Sequence, residues 1–279
     1  MSKGTADTDS KPGYILGHSE REIARLKAQA AHVDPTTRRF LSEAGIGPGM
    51  RVLDVGSGAG DVAFLAADLV GASGEVVGVD LAPVAIDAAR SRAAAQSLTN
   101  VTFLQGDPAA MSFDRPFDAV IGRYVLQFQK DPAAALRAMA AHVRPEGLIV
   151  FHEIDWAGLA SIPPVPTFEQ VSQWGAATLR RHGTEAYMGR KLHAAFVGAG
   201  LPAPTMRLEA PVGGIPANGV WLGRFKELIA TLLPEMERLG VATAAQVGIE
   251  TLIERVSAEA ARTNSVIIGH FQVGAWARR

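Results

Sequence analysis

Between Arg51 and Asp155, short β-branched runs alternate with alanine-rich stretches of helical length, and this alternation constrains the fold more than any other feature of the chain. The runs are 51-RVLDV, 75-EVVGVD, 101-VTFLQ, 117-FDAVIG and 147-GLIVFHE; residues 61–70, 83–97 and 131–143 lie between them. Strands that are apolar on both sides need cover on both sides, and parallel strands need crossover helices to join them. The pattern therefore predicts an α/β fold built on a doubly wound parallel sheet. Where the first strand should run into the first crossover helix, the sequence reads VLDVGSGAGD (52–61). Gly56, Gly58 and Gly60 permit a tight turn and a close approach of backbone to ligand, with free helix N–H groups ahead. The same glycines would also serve a plain strand–helix turn. A dinucleotide fingerprint would put its third glycine at position 61; Asp61 stands there and would oppose a pyrophosphate.

Residues 1–13 are polar and read as a disordered leader. Ser19 and Glu22 form a capping-box pattern, and Ile23, Leu26, Ala30 and Val33 mark one face of the helix that follows. Asp34-Pro35 reads as the N-cap and first position of a second helix, ended by Gly45. Residues 14–48 thus make a helical cap ahead of a core at 49–155. Past Asp155 the rhythm breaks. Residues 156–188, with Pro163, Pro164 and Pro166, read as a lid, and 189–279 as the C-terminal part of the sheet. Within that last part, 189–199 suggests a helix, 205-TMRLEAPV a strand, and 217–262 a helical insertion broken at Pro234 and Gly240. The run 264-NSVIIGHFQVGAWA reads as one long strand. The expectation is one domain with helical additions, not two independent cores.

Composition narrows the partners. The chain has 279 residues, 27 Lys+Arg against 28 Asp+Glu, a net charge of −1 and no cysteine. Nucleic-acid backbones and anionic membranes are bound by clustered Lys and Arg, which this balance does not supply. Without cysteine, disulfides, thiolate catalysis, Cys-ligated zinc and iron–sulfur clusters are excluded together. No apolar h-region opens the chain and no run reaches the ~18 apolar residues of a membrane helix, so a cytoplasmic protein is expected.

Two acids follow the glycine loop at the ends of the next two strands. Asp80, in VVGVDLAP (76–83), can accept both hydroxyls of a ribose; Asp107, in VTFLQGDPA (101–109), can accept from an exocyclic adenine amine. Each could instead cap a helix. Together with the loop they mark the carboxyl ends of consecutive strands, where open α/β sheets bind ligands.

In these motifs the chain resembles the class I S-adenosylmethionine-dependent methyltransferases. The resemblance runs through 52-VLDVGSGAGD, 76-VVGVDLAP, 101-VTFLQGDPA, 117-FDAVIGRYVLQF and 142-HVRPEGLIVFHE in order. It implies a seven-stranded Rossmann-like sheet whose terminal antiparallel strand would be 264–277. It implies S-adenosyl-L-methionine as cofactor, with Gly56, Gly58 and Gly60 against the methionine moiety and Asp54 supporting the loop or the amine. Asp80 would hold the ribose and Leu81 flank the adenine. Gly106, Asp107 and Pro108 would meet the adenine edge, and Arg123 would lie near the methionine carboxylate or the methyl. The segment 14-YILGHSEREIARLKAQA resembles an element that folds over the cofactor in small-molecule members, making Tyr14 and Gln29 contacts; Tyr14 could equally be a surface aromatic anchoring its helix.

Methyl transfer from a sulfonium is an in-line displacement, so positioning and exclusion of water supply much of the acceleration, and a base is needed chiefly for a hydroxyl acceptor. His152, at the carboxyl end of the fifth strand, is the first candidate base; Glu153 alternates to the other face, so one of the two should reach the site. His18 is a further candidate if the N-terminal segment closes over the site. Some members carry a V-L-x-H pattern after the fourth strand, where this chain has Phe128, which suggests an apolar pocket wall. No metal site is expected. Trp156, Phe168, Trp174, Tyr187, Met188, Trp221 and Phe225 would shape an apolar acceptor pocket or pack the added helices. The function expected is methylation of a small apolar or aromatic metabolite. A protein or nucleic-acid methyltransferase, a non-catalytic cofactor-binding regulator and an NAD-dependent reductase are the other readings, and the apolar C-terminal helices leave a homodimer open.

Overall fold

A computed structural model describes residues 33–214 and 219–279. A helix over 33–44, α1, precedes β1 (Arg51–Val55), α2 (Asp61–Val70), β2 (Glu75–Asp80), α3 (Pro83–Ala95), β3 (Val101–Gln105) and β4 (Phe117–Arg123). After α4 (Pro132–Ala140) come β5 (Val143–Asp155), β6 (Ala160–Ile162), α5 (Pro166–His182), α6 (Met188–Gly198), β7 (Thr205–Glu209) and β8 (Val212–Gly213). The chain closes with α7 (Gly219–Arg238), α8 (Ala244–Val247), α9 (Leu252–Thr263), β9 (Val266–Ile268) and β10 (Phe271–Arg278).

Seven strands form one sheet in the order β3-β2-β1-β4-β5-β10-β7. Neighbours from β3 to β5 pair in parallel, and β10 runs antiparallel to both β5 and β7. Strand order reverses between β1 and β4, which opens a crevice at the carboxyl edge there. Every residue of β1 is buried, as a central parallel strand requires. Residues Leu41, Ile46, Val62, Ala66 and Ile86 cover one face of the sheet from α1, α2 and α3 and the loop after α1. Leu136, Met139, Leu192 and Phe196 of α4 and α6 cover the other, against Leu53, Val120 and Phe151. Each such aliphatic or aromatic side chain removed from water contributes about 1.5–3 kcal/mol.

The additions depart from the sequence reading in several places. Trp156, Phe168, Trp221, Phe225, Ile229, Leu232 and Val256 pack together as a separate cluster between α5, α7 and α9, so the helical part has a core of its own. Pro234 does not end α7; the helix continues to Arg238 because Leu232 and Met236, on either side of it, are buried in that cluster. Tertiary burial there outweighs one missing N–H. The run 264–277 is two strands. Gly269 donates to the carbonyl of Pro211, and the chain passes from β9, in a small sheet ordered β6-β9-β8, into β10 of the main sheet. The expected strand 205–212 divides in the same way into β7 and β8. Asp34 is not an N-cap: helical geometry is present already at Val33, whose carbonyl accepts from the Thr37 hydroxyl, and the Asp34 carboxylate pairs with Arg123 instead. Among the described residues no helix is long and apolar enough to cross a membrane.

Candidate functional site

The glycine loop turns from β1 into α2 with φ of 64° at Gly56, 52° at Gly58 and 90° at Gly60, conformations that side-chain-bearing residues avoid. A Cβ on Gly60 would meet Phe103 at 2.8 Å and Phe64 at 2.9 Å, whereas one on Gly58 would meet nothing within 4 Å. Gly60 is thus a packing glycine, and Gly58 borders open space. The Gly58 N–H donates to Asp80 Oδ2 at 2.8 Å, and the Ala82 N–H donates to Oδ1 at 2.9 Å, so the loop and the start of α3 together orient the Asp80 carboxylate. Leu81 beside it is 63% exposed. At the end of β3, Gly106 donates to the Asp80 carbonyl, and the exposed Asp107 accepts from Ala109 N–H through its side chain. The Pro108 carbonyl lies 2.7 Å from His142 Nε2, which ties this turn to the end of α4.

Asp54, on β1 directly before the loop, is 1% exposed, and neither carboxylate oxygen has a hydrogen-bond partner. Burial pushes its pKa up to about 8; Arg123 opposes this and the Asp80 charge adds to it. A buried carboxyl with no donor is costly, and a ligand ammonium would satisfy it. The switch point thus carries two carboxyl groups of different standing, Asp54 buried without a hydrogen bond and Asp80 oriented by the loop. Arg123 turns toward α1: its Nη1 donates to Asp34 Oδ1 at 2.7 Å and to Thr37 Oγ1 at 3.0 Å, while its other nitrogens make no hydrogen bond among the described residues. Tyr14, His18 and Gln29 lie outside the described residues.

Of the three expected bases, the two that are described, His152 and Glu153, are both buried. His152 is 2% exposed and packs under α1, its ring edge against Phe40 with centroids 4.9 Å apart. Nδ1 lies 3.1 Å from Thr37 Oγ1 and Nε2 lies 2.9 Å from Gln272 Oε1. Gln272 Oε1 also accepts from the Tyr124 hydroxyl, so the network assigns the ring proton to Nε2, and Nδ1 shares the single Thr37 hydroxyl proton with the Val33 carbonyl. Burial, with Arg123 adding, lowers the His152 pKa to about 3. This is a neutral structural imidazole with both nitrogens engaged. Glu153 does alternate to the other face, as expected, but is wholly buried: Oε1 accepts the N–H groups of Val125 at 2.8 Å and Leu126 at 2.7 Å. Burial raises its pKa to about 8. It anchors the chain where β4 ends, next to Tyr124, which holds a positive φ of 59° unusual for a bulky residue.

The larger surprise is a cavity of about 300 Å³ on the same carboxyl edge. Its floor is a cross-strand row, Ile154–Gln272–Glu209, set by the register of β5, β10 and β7. Val33, Thr36 and Arg39 of α1 form one wall, Trp221 and Phe225 of α7 the other, and Tyr124 and His270 complete it. Of the aromatics expected around an acceptor, Trp221 and Phe225 reach this cavity; Phe168 packs into the helical core and Met188 into the sheet core. Tyr124, His270 and Gln272 escaped the sequence reading. Gln272 alternates along the final strand, whereas His270 sits in the link just before it, where no periodicity points to a face.

A family model described as a methyltransferase domain matches residues 46–193, just over half of the chain. Aklanonic acid methyltransferase DauC of Streptomyces sp. (strain C5) is 37% identical over 118 residues, which cover 42% of this chain and 54% of that relative. Nocamycin O-methyltransferase of Saccharothrix syringae is 34% identical over 147 residues, 52% of this chain and 49% of the relative. The chain spans about half the length of the curated relatives it matches. Among solved structures, YcgJ of Bacillus subtilis shares the fold with a TM-score of 0.55 at 20% identity, over 88% of this chain and 99% of that one. The family match takes in Asp54, Asp80 and Asp107 and stops within α6, short of His270 and Gln272. By that match the chain belongs to the methyltransferase domain family.

Proposed function

We propose that the protein is an S-adenosylmethionine-dependent methyltransferase acting on a small, flat, apolar or aromatic molecule. The observation that carries this reading is the unpaired, buried Asp54 carboxyl beside an open Gly58 and a carboxylate, Asp80, already oriented by the loop. Gly56, Gly58 and Gly60, with Asp54, would hold the methionine part; Asp80 would accept the ribose hydroxyls. Leu81, Gly106, Asp107 and Pro108 would bound the adenine, and the nitrogens of Arg123 that do not bond Asp34 or Thr37 would meet the carboxylate end. Tyr14 and Gln29 would complete the cover. When bound, the cofactor supplies a sulfonium methyl that is electrophilic without further activation. What the chain adds is position and dryness. Tyr124, strained at the end of β4, and Trp221 and Phe225 of α7 would hold the acceptor between the crevice and the helical additions. That two relatives are named for aklanonic acid and nocamycin supports a small-molecule acceptor.

Titration calorimetry with S-adenosylhomocysteine tests this reading. Micromolar binding that Asp80→Ala weakens is the expected result; absence of binding, or binding of NADH in its place, overturns it.

A further inference from the structure

His270 is 5% exposed, lines the cavity, and makes no hydrogen bond to the described residues; its Nε2 is completely buried and unpaired. Its ring stands edge-on to Trp156 with centroids 4.5 Å apart and tilted to Trp221 at 5.6 Å and Phe225 at 6.0 Å. Burial alone holds its pKa down near 3, so at neutral pH the ring is uncharged, with one N–H and one lone pair unused. Unpaired buried polar groups are rare in folded proteins and each asks for a cause. Packing is no cause here, because phenylalanine would fill an aromatic box equally well. Nor does the side chain hold its turn, which the Gly269 N–H makes with the Pro211 carbonyl. Two residues on, Gln272 has its Oε1 occupied by Tyr124 and His152, and its Nε2 donates to nothing among the described residues. The charged groups at the rim are paired, Arg39 with Glu209 and Arg224 with Glu227, so no free charge faces the cavity from α1, β7 or α7.

We propose that His270 and Gln272 form the polar end of the cavity, and that its ligand is an uncharged, flat aromatic molecule bearing a hydroxyl group. The ligand O–H donates to the free ring nitrogen of His270, and the Gln272 amide donates to a second oxygen of the ligand. His270, in the link just before β10, and Gln272, inside it, both line this one cavity. His270 is thus a positioning and specificity residue, since a site built to bind a hydroxyl discriminates against analogues lacking one. This deepens the methyltransferase reading only by naming the acceptor's chemistry.

The test uses the full chain with naphthol, dihydroxynaphthalene and naphthalene as probes, read by calorimetry and by spectra of nitrogen-labelled histidine. Wild type should prefer naphthol to naphthalene by about tenfold or more, the worth of one buried hydrogen bond, with the His270 ring signals shifting on binding. His270→Phe and His270→Leu should both abolish the preference, keep naphthalene affinity and S-adenosylhomocysteine affinity, and melt no lower than wild type, because the unpaired nitrogen is gone. Gln272→Leu should reduce only the additional affinity for dihydroxynaphthalene over naphthol. A wild type with no hydroxyl preference, or a preference that survives both His270 variants, overturns the proposal. If the preference behaves as stated while S-adenosylhomocysteine fails to bind, the pocket assignment stands and the methyltransferase reading falls.

Discussion

The crevice at the glycine loop and the aromatic cavity lie on one edge of the same sheet, yet they are assembled in opposite ways. The crevice takes Asp54, Gly58, Asp80 and Asp107 from the ends of three consecutive strands, each within a few residues of its own local pattern. The cavity takes Thr36, Tyr124, Ile154, Trp221, His270 and Gln272 from five separate segments, and strand register brings the floor of it together. Two histidines show the same difference. His152 has both nitrogens engaged by Thr37 and Gln272; His270 has neither engaged by any described residue. Position at a strand end is therefore a poor guide to a working histidine. Unsatisfied hydrogen-bonding capacity is the better one.

The largest expected effects fall on the crevice. Asp80→Ala removes an oriented carboxylate, so S-adenosylhomocysteine affinity should drop about 10- to 100-fold, while the naphthol preference of the cavity stays as in wild type. If both binding events fail together, the two regions are one site and the contrast above is wrong. Asp54→Asn should act next, lowering affinity about tenfold, as expected for one charged hydrogen bond. In wild type the Asp54 carboxyl, protonated up to about pH 8, must release its proton to meet an ammonium, so binding should strengthen as pH rises from 6 to 8. Calorimetry in buffers of different ionisation enthalpy would detect that proton, and Asp54→Asn should abolish its release. Equal proton release in wild type and variant would remove Asp54 from the ammonium site.

The parallel sheet, the glycine loop and the two following acids were legible because each rests on local periodicity or on a turn that only certain residues can make. Gly45, at φ 101°, ends α1 as its chemistry suggested. What was illegible depended on distant partners. Pro234 looked like a stop because nothing in the sequence announces that Leu232 and Met236 will be buried around it. His152 looked exposed at a strand tip because α1, which covers it, is contributed by residues more than a hundred positions away. The division of 264–277 depended on a hydrogen bond between Gly269 and Pro211.

A smaller effect separates the two histidines directly. His152→Ala removes a partner from Thr37 and from Gln272, both in a sealed layer, and should cost about 1–3 kcal/mol of stability. A thermal melt should show a lower Tm, against the unchanged or higher Tm of His270→Phe. If His152→Ala melts as wild type does, its two hydrogen bonds contribute nothing and its role as a structural imidazole is lost.

The smallest expected effect is on the pH dependence of stability, where both regions contribute with opposite sign. Asp54 and Glu153 keep their protons up to about pH 8 when folded, whereas the unfolded chain loses them near pH 4. The folded state then binds more protons across that window, so these two carboxyls stabilise most below pH 4 and progressively less toward pH 8. His152 and His270 stay neutral when folded down to about pH 3 but are protonated below about 6.5 when unfolded, so their contribution is lost as pH falls from 6.5 toward 3. Unfolding free energy measured in urea should therefore pass through a maximum on the mildly acidic side of neutrality. Asp54→Asn should flatten the decline above the maximum and His270→Phe the decline below it. A curve whose two limbs respond equally to either substitution would mean that the crevice and the cavity titrate as one coupled network through Arg123, Thr37 and His152, and that the separation of the two regions is only spatial.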